Sequence, residues 1–206
     1  MSESPTLETA DQKASYGIGL NVGSSIASRG GLDVDTTAFL AGLRDGLAGA
    51  EPRLDDATIR EAMLQLQAKA DAARQQVAGK NFDEAKAWLA KNAQREEVTV
   101  TDSGLQYEIL TAGDGPTPSA NDTVEVHYHG TLIDGTVFDS SVERGETATF
   151  PVNRVIPGWV EALQLMPVGS KWRLFVPPDL AYGAQGVGDI PPNAALIFDV
   201  ELIAIK

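Results

Sequence analysis

Apolar residues recur along this chain with two periods, and the change falls near residue 100. Ahead of it, Ile59, Met63, Leu66, Ala70, Ala73 and Val77 follow one another at alternating spacings of four and three. Those spacings stack side chains on one face of an α-helix. Pro52 precedes the run, and Asp55 or Asp56 suits the N-cap, where a carboxylate accepts from N–H groups that lack helical partners. Phe82, Ala85, Trp88 and Leu89 extend the spacing beyond Gly79, which marks a bend or a weak point. Read as one helix over 56–96, the segment is about 60 Å long at roughly 1.5 Å per residue. Such a rod cannot bury its stripe on itself and needs a partner. Two shorter helices are expected before it. Gln12 to about Ser28 carries Tyr16, Ile18, Leu20, Val22 and Ile26; Asp35 to about Leu47 carries Phe39, Leu40, Leu43 and Leu47. Gly30-Gly31 reads as the break between them, with Asp33 and Asp35 as cap residues. This is too little core for a self-contained domain, so intertwining with a second copy is the natural remedy.

After residue 100 the period becomes two. Val124, Val126 and Tyr128 alternate with Glu125, His127 and His129. Residues 171–176 and 195–203 read as two more strands, separated from their neighbours by turn clusters at 113–116, 167–169 and 186–189. One short helix is expected between Asn153 and Met166, starting near Pro157-Gly158. The expected class is α+β: an all-helical N-terminal dimerisation arm over 1–100, then an antiparallel sheet wrapped on one short helix over 101–206.

Composition narrows the function. The chain has 206 residues, no cysteine and a net charge of −13. Disulfides, thiol catalysis and Cys-ligated zinc are excluded. Residues 1–100 hold 11 basic and 15 acidic side chains, residues 101–206 hold 5 and 14. That sign opposes binding to a phosphate backbone, so no nucleic-acid partner is expected. No apolar run reaches the length of about 18 residues that a membrane helix needs. Met1 to Ser15 is polar and acidic, unlike a secretory leader, and cytoplasmic residence is the expectation.

The richest motif is Tyr128-His129-Gly130-Thr131-Leu132-Ile133-Asp134-Gly135-Thr136-Val137-Phe138-Asp139-Ser140-Ser141, a hairpin with an Asp-Gly turn. Val155-Ile156-Pro157-Gly158-Trp159, Leu180-Ala181-Tyr182-Gly183 and a segment from Ile190 to Val200 follow it. Together these resemble the FKBP-type peptidyl-prolyl cis–trans isomerases, over about residues 105–206. Within that family the whole chain is similar to the two-domain bacterial kind, whose helical arms form V-shaped homodimers, and the opening Ala14-Ser15-Tyr16-Gly17-Ile18-Gly19 looks closest to its cytoplasmic members.

The resemblance implies an enzyme that speeds X–Pro rotation in peptides and folding proteins without covalent chemistry, cofactor or metal. It implies a pocket with Trp159 as floor, Phe138 and Phe198 flanking it, and Tyr128, Val155 and Ile190 completing the walls. Asp139 is then the polar wall, paired with Tyr128 and backed by Arg144. The Ile156 N–H and the Tyr182 hydroxyl are expected to hold substrate carbonyls. Expected partners are a second copy of the chain, unfolded or proline-containing polypeptides, and the family's macrolide inhibitors. Two departures stand out: Ala148 replaces an aromatic of many members, and the 186–189 loop is one residue short with no histidine at its tip. They motivate an alternative, a non-catalytic proline-binding holdase.

Other signals carry less. His127 and His129 share one strand face, but no third firm ligand accompanies them. Gly17, Gly19 and Gly23 are mis-spaced for a dinucleotide loop, and no Gly-x-Ser-x-Gly elbow exists.

Overall fold

The computed structural model describes residues 6–27 and 34–206; Gly30, Gly31 and Asp33 lie outside the described residues. Three helices come first: α1 (Ala10–Ala27), α2 (Thr36–Leu47) and α3 (Asp56–Asn92). The Asp35 carboxylate caps α2 by accepting the Ala38 N–H at 2.8 Å. Asp55, not Asp56, takes that role at α3, accepting the Thr58 N–H at 2.7 Å. The helix runs unbroken through Gly79 but stops four residues short of the expected end. There the N–H groups of Gln94 and Arg95 turn back to the carbonyls of Lys91 and Asn92. The Asn92 amide donates to Gln106 Oε1 at 2.9 Å, fixing the chain's exit toward the sheet.

The chain forms two compact units, Met1–Gln75 and Gln76–Lys206. In the first, no residue of α1 or α2 is buried. Ile18 on α1 is 65% exposed, and of the α3 stripe read from the sequence Met63 is 61% exposed while Ala70 is buried.

The second unit holds β1 (Val98–Val100), β2 (Gln106–Thr111), β3 (Thr123–Leu132), β4 (Val137–Ser140), α4 (Ser141–Arg144), β5 (Ala148–Pro151), α5 (Pro157–Leu163), β6 (Lys171–Val176) and β7 (Leu196–Ile205). The seven strands form one antiparallel sheet in the order β1-β2-β6-β7-β3-β4, with β5 also pairing to β3. On one face Val124, Val126 and Tyr128 of β3, Leu174 and Val176 of β6, and Leu196, Phe198, Val200 and Leu202 of β7 pack against Trp159, Ala162 and Leu163 of α5. On the other face Phe175 meets Ala85 and Leu89 of α3. Trp88 completes that contact, its ring 5.6 Å from that of Phe175. The sheet-bearing unit therefore begins inside α3, well before the change of period near residue 100. From Ala85 onward the helix finds its partner in its own chain.

The α+β architecture and its order agree with the sequence reading. Strands β1, β2 and β5 were not legible: β1 is three residues long, β5 is four, and Gln106–Thr111 lacks a clean alternation. Among the described residues no helix is long and apolar enough to cross a membrane.

Candidate active site

A cavity of about 700 Å³ opens at one end of the α5-covered face. Its floor is Trp159, carried on the first turn of α5. Pro157 occupies the first turn, where its missing N–H costs nothing and its fixed φ suits a helix start. Gly158 is required beside it, because a Cβ there would sit 2.6 Å from Val176 Cγ1.

Three rings pack edge-on around that indole, and a fourth packs on one of them. Tyr128 lies 5.5 Å away at 84°, Phe198 5.2 Å at 78° and Phe150 6.0 Å at 89°, while Phe138 meets Phe198 at 5.4 Å and 85°. Edge-to-face contact is the arrangement that ring quadrupoles favour. Gly130 makes room for two of these rings: a Cβ there would come within 2.7 Å of Phe138 and 3.0 Å of Phe198.

Phe138 and Asp139 both line the cavity, although neighbours on a strand ordinarily face opposite ways. The register explains it. Gly130 pairs with Asp139 and Thr131 with Val137, so Phe138 is the extra residue of a β-bulge, which re-aims side chains locally. Ser140 then caps α4 by accepting the Glu143 N–H at 3.1 Å, and that single turn returns Arg144 to Asp139.

Asp139 is held from two sides. The Tyr128 hydroxyl donates to its Oδ2 at 2.5 Å, and Arg144 donates to its Oδ1. A second Arg144 nitrogen donates to the Tyr128 oxygen at 3.0 Å, closing a triangle. Burial pushes the Asp139 carboxyl upward, but the Tyr128 hydrogen bond and Arg144 together outweigh it and hold the group below its usual range. Tyr128 is shifted up, first by burial and then by donating to the carboxylate. Arg144 is shifted up by its bonds to Tyr128 and Asp139, so it stays charged.

Two donors at this cavity have no partner among the described residues. The Ile156 N–H, just ahead of α5, meets no backbone carbonyl, and the Tyr182 hydroxyl makes no hydrogen bond. An apolar chamber with an anchored carboxylate and two unspent donors can take a ring-bearing, carbonyl-rich ligand.

Nine of the ten residues expected from the sequence line this cavity: Tyr128, Phe138, Asp139, Val155, Ile156, Trp159, Tyr182, Ile190 and Phe198. Arg144 stands behind Asp139, as expected. Phe150, Arg154, Val187, Gly188 and Asp189 also line it and were missed. Phe150 had a usable signal: it follows Ala148 by two on the same strand face, and it supplies an aromatic wall on β5 that Ala148 does not. Val187 and Ile190 exchange both backbone hydrogen bonds, at 3.0 and 2.8 Å, so the short 186–189 loop is a tight wall element rather than a gap.

His127 and His129 sit near Ser141 and Ser140, and no group of three or more potential ligands that could hold a metal occurs among the described residues.

Residues 115–203 match the family model described as FKBP-type peptidyl-prolyl cis-trans isomerase, and residues 11–109 match the domain amino terminal to it. The 22 kDa FKBP-type peptidyl-prolyl cis-trans isomerase of Escherichia coli is 48% identical over 98% of both chains. The isomerase FkpA of Aeromonas hydrophila is 46% identical over 100% of this chain and 81% of its own length. Among solved structures, FkpA from Escherichia coli superposes with a TM-score of 0.73 at 37% identity, covering 98% of this chain and 99% of that one. An isomerase from Pseudomonas syringae gives 0.59 at 42% identity over 63% of this chain and 96% of its own. The two matched regions and these relatives define a peptidyl-prolyl isomerase preceded by an amino-terminal domain. The chain belongs to the family of FKBP-type peptidyl-prolyl cis–trans isomerases.

Proposed function

We propose that the cavity closes on an X–Pro segment of a peptide or folding protein and lowers the barrier to rotation without covalent chemistry. That barrier, about 18–20 kcal/mol, comes from C–N resonance. The twisted amide has less resonance and a less polar carbonyl than the planar one. An apolar chamber therefore disfavours the planar ground state relative to the twisted transition state, which is the differential binding that catalysis needs. Trp159 underlies the prolyl ring, with Phe138 and Phe198 beside it. The Ile156 N–H and Tyr182 hydroxyl receive substrate carbonyls. Tyr128 and Arg144 fix Asp139 as the polar wall.

The observation that carries this reading is the pair of unspent donors beside a ring-lined chamber. A protease-coupled assay on short X–Pro peptides tests it. Tyr182→Phe is expected to lower kcat/KM by about two- to tenfold, the worth of one neutral hydrogen bond. Asp139→Leu is expected to lower it by about tenfold or more, since it removes the charged acceptor to which both Tyr128 and Arg144 donate. Wild-type turnover in both variants would remove the assignment.

The same proposal includes a homodimer joined through the N-terminal helices. It is supported by Tyr16, Ile18 and Leu20 on α1, Leu40 and Leu43 on α2, and Met63 on α3, all large, apolar and exposed in one chain.

A further inference from the structure

The turn that follows the pocket wall is tied to the long helix by two side-chain amides. Asn81 of α3 donates its Nδ2–H to the Pro192 carbonyl at 2.8 Å, and Asn193 donates its own to the Ala78 carbonyl at 3.1 Å. Each amide thus reaches across to the other segment's backbone. All four residues belong to the Gln76–Lys206 unit.

The turn itself has little freedom. Pro191 and Pro192 restrict their own φ. Asn193 holds φ at 55°, alone in this among the described non-glycine residues, in a region that Asn tolerates better than most side chains. Its backbone N–H donates to the Gly183 carbonyl at 2.8 Å. On the other side Gly186 comes so close that a Cβ would lie 2.4 Å from the Ile190 oxygen and 2.9 Å from the Pro192 nitrogen. Gly183 directly follows Tyr182, and Ile190 directly precedes Pro191. Two cavity residues therefore hang on a small backbone frame that Asn81 and Asn193 fasten to α3.

Neither amide lines the cavity, so neither touches a bound peptide. Nor does α3 itself gain from Asn81, because Asn is a poorer helix former than Ala. What the pair does is hold the frame in place.

We propose that Asn81 and Asn193 are positioning residues: they clamp the 182–193 segment to α3 so that the Tyr182 hydroxyl stands ready where a substrate carbonyl arrives. This rests on the reading of Tyr182 as a carbonyl-binding group. Preorganisation of that kind matters because small misplacements of a binding group cost rate steeply.

The test is a double-mutant cycle in the full-length protein, reading kcat/KM on a short X–Pro peptide. Asn81→Ala is expected to lower it by about twofold or more and by no more than Tyr182→Phe does, whose ceiling is the roughly tenfold worth of one neutral hydrogen bond. In the Tyr182→Phe background the same change is expected to cost under about twofold, because the group it positions is gone. Asn193→Gly keeps the positive φ, drops the amide, and is expected to behave like Asn81→Ala. Equal losses in both backgrounds would mean a general structural effect and overturn the role, as would unchanged turnover in Asn81→Ala. If Tyr182→Phe alone leaves turnover intact, the carbonyl-binding reading falls and the positioning role falls with it. That failure is visible in the single Tyr182 variant, so the two are told apart.

Discussion

One missing methyl group at Gly130 lets two phenylalanine rings close on the pocket, and one extra residue in β4 turns Phe138 and Asp139 toward the same space. The identities at the site were legible because four short motifs occur in order. Their geometry was not. A β-bulge leaves no mark in an alternation pattern, and Arg154 and Asp189 owe their places to turns that periodicity does not describe. The charge state of Asp139 yields a pH prediction. Its carboxyl lies below the usual range, so the stabilisation it gives is present above that range and is lost as pH falls through the lowered value, below about pH 4. From pH 8 down to about 5 no ionisation of Asp139 is expected in the kcat/KM profile. A titration near pH 6 that Asp139→Asn abolishes would contradict this.

The long helix has two different environments along its length. Its first half follows the four-and-three stripe read from the sequence, and there Ile59 and Met63 are exposed. Its second half keeps similar spacing but is spent on the sheet, where Leu89 is 8% and Ala85 1% exposed beside Phe175. Spacing alone reports a face, not what covers it, which is why the whole rod read as dimerisation arm. The back of the sheet carried a hint: Phe175 sits between Leu174 and Val176, so β6 is apolar on both faces and needs cover on both. Leu89→Ala is accordingly expected to destabilise the Gln76–Lys206 unit by about 2–4 kcal/mol, as a large-to-small change in a packed site. Chemical denaturation monitored by tryptophan fluorescence measures it; a loss under about 0.5 kcal/mol, typical of a surface position, would show that this half of α3 is not core.

At the scale of the whole molecule, an acidic isomerase unit follows helices whose apolar side chains are uncovered in a single chain. The proposed symmetric pair would bury them mutually, closed two-fold association being the commonest oligomeric arrangement. Charge placed on that face, as in Ile18→Asp with Met63→Glu, is expected to shift sedimentation from dimer to monomer while short-peptide turnover persists. Refolding of a proline-limited protein should slow, because two linked pockets raise local concentration for one unfolded chain. An unshifted sedimentation coefficient would remove those helices from the interface. The central claim, that this cavity rotates the X–Pro amide, meets its most direct test in one NMR experiment. Cis–trans exchange of a short X–Pro peptide is followed with catalytic amounts of full-length protein, alongside the protein's own amide and indole signals. Accelerated exchange is expected, with shifts at Ile156, Trp159 and Tyr182. Shifts at those residues with no acceleration would mean a pocket that grips proline and does not turn it, contradicting the account.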